Sequence, residues 1–107
     1  MSSLSTHVLD TSLGRPAQGV KVTLEQGSDV IGTGMTDADG RVPEIQGAAP
    51  VGPGTYRLRF LVAEYFSQDG RDCFYPEITI NFLIGADDHY HVPLLLSPFG
   101  YSTYRGS

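Results

Sequence analysis

The chain has 107 residues, 40% of them apolar, with a formal net charge of -5. That length suits one domain spanning residues 1–107. No stretch approaches the roughly 20 apolar residues of a spanning helix, and the few basic residues form no stripe that would engage nucleic acid.

Period-two alternation of apolar and polar residues marks half-buried strands. The opening, Met1 to His7, lacks a basic region or a long apolar run, so no secretory signal is expected. With Cys73 as the only cysteine, no intrachain disulfide can form, and a cytoplasmic location is expected. His7 lies in the first strand and shares a face with Ser5 and Leu9. Val20, Val22 and Leu24 alternate with polar neighbours, as do Tyr56, Leu58 and Phe60, continuing to Val62, and then Ile78, Ile80, Phe82 and Ile84. Gly-rich and Asp-rich breakers separate these runs, the tightest being Asp37-Ala38-Asp39-Gly40, which predicts a hairpin turn with Gly40 at positive φ. Ala63 to Gln68 does not alternate and predicts about two helical turns before Gly70. About seven or eight short strands result, and with them an all-β, two-layer antiparallel sandwich carrying one short helix.

The late run His89-Tyr90-His91-Val92-Pro93-Leu94-Leu95-Leu96 becomes apolar on both faces after the histidines. A strand of this kind is covered on both sides, so another subunit is expected to pack against its outer face. Pro93 has no N–H to donate, which predicts an edge or a bulge there. The following tail, Tyr101 to Ser107, could form a final edge strand.

Three histidines are present, His7, His89 and His91. His89 and His91 share a strand face, but no cysteine or carboxylate pattern completes a metal set, so neither metal nor cofactor is expected. A neutral imidazole is instead a natural base for activating water near neutral pH. Arg41 is either an ordinary exposed strand residue or an anion clamp. Ser12 and Ser97 lack a nucleophile-elbow context, the Asp37 to Gly40 turn lacks the remaining ligands of a calcium loop, and Cys73 is expected to be inert.

Ser5-Thr6-His7-Val8-Leu9-Asp10, followed by Gly14-Arg15-Pro16-Ala17, resembles the opening signature of the transthyretin-like family. The closing Tyr104-Arg105-Gly106-Ser107 resembles the tetrapeptide that marks the family's hydrolase branch, and Thr36 to Arg41 and His89 to Leu94 fit the same branch. The resemblance covers essentially the whole chain. It implies an eight-stranded sandwich with a short helix, assembled as a homotetramer with active sites at the dimer–dimer interface. It further implies hydrolysis of 5-hydroxyisourate, a small purine breakdown product, without a cofactor. Matched position by position, it puts His7, His91 and Ser107 in the catalytic set and Arg41, Tyr104 and Arg105 around the substrate, and leaves His89 structural. Ser107 would offer its hydroxyl or an α-carboxylate. Two rivals remain: a non-catalytic sandwich module, whose Gly-x-Pro opening and Thr-Asp-x-x-Gly turn look the same, and a small-ligand carrier. The histidines and the tail separate the hydrolase from both.

Overall fold

The alternation of the sequence becomes an alternation of burial in the computed structural model, which describes residues 1–107. Strand β1 (Ser3–Asp10) buries Leu4, Thr6, Val8 and Asp10 and leaves Ser3, Ser5, His7 and Leu9 half-buried on the opposite face. It is followed by β2 (Arg15–Pro16), β3 (Lys21–Gln26), β4 (Asp29–Met35), β5 (Arg41–Val42), β6 (Gly54–Phe60), helix α1 (Val62–Ser67), β7 (Ile78–Ile84), β8 (His89–Ser97) and β9 (Gly100–Thr103). The helix begins one residue before the expected stretch, so Val62, the last residue of the alternating run, is its first residue.

Two sheets pack face to face. One has the order β2-β1-β8-β9, with β5 also paired to β1, and the other has the order β4-β3-β6-β7. Their inner faces meet in one cluster that includes Leu4, Val8, Leu24, Leu58, Phe60, Ile78, Leu94 and Leu96. Pairing is antiparallel except between β1 and β8, which run parallel in an unbroken register from Ser3↔His89 to Asp10↔Leu96. A parallel pair needs a long crossover, and here nearly the whole domain serves as one. No helix is long and apolar enough to cross a membrane.

Helix α1 has no side-chain N-cap, and its six residues are too few to be stable alone. It is held from below. Asp10, fully buried at the end of β1, accepts hydrogen bonds from Tyr65 Oη at 2.7 Å and Arg71 Nη2 at 2.9 Å. Its other oxygen accepts from Ser12 N and Oγ and from Leu13 N. Burial alone would raise the carboxyl pKa, yet the bonds from Arg71, Ser12 and Tyr65 together outweigh it and hold Asp10 at about 2.

Candidate active site

His7 points outward because its neighbours Thr6 and Val8 fill the core. Arg41 joins it through the turn at Asp37 to Gly40. The Asp37 carboxylate accepts from the backbone N–H groups of Asp39 and Arg41, both at 2.9 Å, and Gly40 takes φ 78. Val8 N donates to Gly40 O at 2.7 Å. A Cβ on Gly40 would lie 2.4 Å from Val8 O, so only glycine lets the turn lie against β1. The result is the register His7↔Arg41 beside Thr6↔Val42. With Val42 buried, Arg41 is left on the outer face with His7.

The parallel partner β8 brings in His91. Ser5 pairs with His91 and His7 with Pro93, and the His7 and His91 ring centroids are 6.4 Å apart. Pro93, expected at an edge or a bulge, lies inside the sheet, because β8 lies between β1 and β9. The β8·β9 ladder runs from Ser97↔Gly100 to Leu94↔Thr103 and returns only at His91↔Gly106. Pro93 sits in that gap, where its carbonyl accepts from Thr103 Oγ1 at 2.7 Å. The proline is thus tolerated inside the sheet by interrupting one ladder.

The bridge at Gly106 ties the tail to the site. Gly106 N donates to His91 O at 2.8 Å, and Ser107 follows directly. Tyr104 is exposed and lines an apolar groove of about 310 Å³ with Phe82, Leu83 and Tyr90. Arg105 is held by two contacts. Its guanidinium lies 4.4 Å from the centroid of the Tyr90 ring and bonds Asp87 Oδ2 at 2.9 Å. Tyr90 precedes His91 on β8 and belongs to its inward-facing set, so Arg105 anchors the tail to that strand. Both members of the Arg105–Asp87 pair are exposed, and the cation–π contact adds to a weak ion pair.

Sequence reasoning missed Ser5. Its Oγ lies 2.7 Å from His91 Nδ1 and 3.0 Å from His89 Nε2, while Ser3 Oγ lies 2.6 Å from His89 Nδ1. The parity of Ser5 with His7 was legible, but its contact with His91 follows only from the parallel register.

Burial, then the nearby charges of Arg41, His7 and His89, lower the pKa of His91 below the ordinary histidine value. A hydrogen bond to the Ser5 backbone opposes this only in part. His91 is therefore a neutral imidazole near pH 7. A neutral base beside a guanidinium can take a proton from water while the guanidinium steadies negative charge on a carbonyl oxygen. No three His, Cys, Asp or Glu side chains converge as a metal would require. The largest hollow, about 500 Å³, lies elsewhere, among Arg15, Gln18, Tyr65 and Arg71. Its Tyr65 and Arg71 are already engaged by Asp10.

A sandwich of a five-stranded sheet on a four-stranded one is the architecture of the transthyretin-like structures. The structure of sea bream transthyretin in complex with thyroxine superimposes with a TM-score of 0.90 at 31% identity, over 97% of this chain and 94% of that one. Klebsiella pneumoniae 5-hydroxyisourate hydrolase superimposes with a TM-score of 0.94 at 42% identity, over the full length of both chains. In sequence, the 5-hydroxyisourate hydrolase of Salmonella typhimurium is 49% identical over 109 aligned residues, 97% of this chain and 80% of that protein. Residues 4–106 match the HIUase/Transthyretin family, and the chain belongs to it.

Proposed function

We propose that this chain hydrolyses 5-hydroxyisourate to 2-oxo-4-hydroxy-4-carboxy-5-ureidoimidazoline on the face formed by His7, Arg41 and His91. The observation that carries this reading is the neutral His91 imidazole beside His7 and Arg41, with the Gly106 backbone against its ring. The shared name of the hydrolase relatives supplies the substrate. Water loses a proton to the histidine pair as its oxygen attacks the lactam carbonyl carbon. Negative charge builds on the carbonyl oxygen, where the Arg41 fork binds it. The C–N bond then breaks, and the leaving ring nitrogen takes up a proton. Tyr104 and Arg105 of the tail contact the substrate, and Ser107, which follows the Gly106 bridge, relays a proton or orients a histidine. No covalent intermediate and no cofactor are needed.

Residues 1–107 act as one domain in a homotetramer whose sites lie between dimers. This part of the reading rests on the outer face itself. Leu9 and Leu95 are register partners there, half-buried beside Pro93. Neither hollow of the lone chain includes His7, Arg41 or His91. A site on an open face excludes water only when another copy covers it. The free thiol of Cys73 suits the reducing cytoplasm.

The test generates 5-hydroxyisourate in situ from urate and follows its ultraviolet band. Decay that accelerates in proportion to added protein is expected. Stoichiometric ligand binding with an unchanged decay rate would favour the carrier reading that the sea bream protein represents.

A further inference from the structure

We propose that Ser5 and His89 are positioning residues that fix the tautomer of His91, leaving its Nε2 free of a proton and ready to accept one. This rests on the hydrolase reading above and goes beyond it by choosing the nitrogen.

Ser5 Oγ lies within hydrogen-bond distance of two ring nitrogens, His91 Nδ1 at 2.7 Å and His89 Nε2 at 3.0 Å. A hydroxyl has one hydrogen to give, so it can donate to only one of them, and the other must donate to it. The hydrolase reading sets the direction: the edge of His91 away from Ser5 must hold the lone pair that takes the proton of water. Ser3 Oγ lies 2.6 Å from His89 Nδ1 and 3.4 Å from the carbonyl oxygen of Asp88. In that direction Ser3 accepts from His89 Nδ1–H, and its own hydrogen is free to turn toward the Asp88 carbonyl, which can only accept. His89 Nε2 is then bare and accepts from Ser5. Ser5 in turn accepts from His91 Nδ1–H, and neutral His91 has its lone pair on Nε2. The opposite orientation would put the hydrogen on Nε2 and make His91 a donor.

The tail meets the ring on another side. Gly106 packs against His91 Cδ2 and Cγ. The Nδ1 edge faces the serines and the Cγ–Cδ2 edge faces the tail. The exposed His89 ring, left structural by sequence reasoning, thereby becomes the acceptor that orients Ser5.

Nitrogen-resolved NMR of the imidazole rings near pH 7.5, recorded without substrate, reads the tautomer. His91 Nε2 should appear as an unprotonated nitrogen in the native chain, in Ser5→Thr, which keeps the hydroxyl, and in His89→Gln, which keeps an acceptor. In Ser5→Ala and His89→Phe a substantial share of Nε2 should carry hydrogen. In parallel kinetics, those two variants should lose at least about tenfold in kcat with KM changed by less than about twofold, while Ser5→Thr and His89→Gln stay near native. A protonated Nε2 in the native chain, or identical spectra in all five proteins, would overturn the proposal. A native chain with the expected spectrum but no hydrolysis would instead overturn the functional reading and leave the relay standing.

Discussion

Gly106 crosses the ring of His91 so closely that a Cβ would lie 2.5 Å from Cδ2 and 3.2 Å from Pro93 Cγ. The tail therefore reaches the site only as bare backbone. Gly106→Ala should push the tail away from His91 and cut kcat/KM by roughly tenfold or more. The tail lies outside the core, so thermal melting should shift little. A variant with native activity would show that the strand bridge to His91 has no role in turnover.

Activity should fall on the acid side. Since His91 is held below the ordinary histidine value of about 6.5, it stays neutral through pH 7 and protonates only below that value. The rate, corrected for the spontaneous reaction, should be level from about pH 8 to 6.5 and drop below it. A profile flat to pH 5 would remove His91 from the proton transfer.

Stability has its own acid dependence, centred on Asp10. In the unfolded chain this carboxyl titrates near 3.8, and in the folded chain at about 2. Its contribution is complete above about pH 4 and is lost as pH falls toward 2, a loss of about 2 kcal/mol. Urea unfolding of the native chain and Asp10→Asn between pH 7 and 2 measures it. The variant should be less stable at pH 7, and the difference should shrink on acidification. A difference independent of pH would assign the effect to packing.

Leu95→Glu puts a charge on the outer face next to Leu9 without entering the core. Analytical ultracentrifugation should show smaller species, and turnover should fall with the assembly. A fully active monomer would defeat the shared site.

Much of the fold was legible because strands with one buried face alternate visibly. Val20 to Leu24 and Tyr56 to Phe60 show it, and so does the outward parity of His7. The turn before Arg41 was readable from Asp37 and Gly40 chemistry. Other features depend on neighbours that no local pattern names. Pro93 reads as an edge or bulge residue, and only the pairing shows that it lies inside a sheet where one ladder opens around it. The Asp10 cluster joins residues 61 positions apart, and Asp10 read locally is an ordinary strand-end carboxylate. Arg105 was placed by likeness of motif, and its contacts with Tyr90 and Asp87 are named by no local pattern. Ser5 gains its partner from a pairing 86 residues long.

That long pairing also governs when the site can exist. The ribosome makes Ser5 and His7 more than 80 residues before His91 and Gly106. The outer face they form has no local precursor, since its contacts close only after the intervening strands have found their places. Such topologies fold slowly relative to chains rich in local contacts. A nascent or proteolysed chain lacking β8 would keep most of its strands but lose the face on which His7 meets His91. Turnover thus serves as an internal check on completed folding, and its return after denaturant dilution should coincide with the slowest phase of strand pairing.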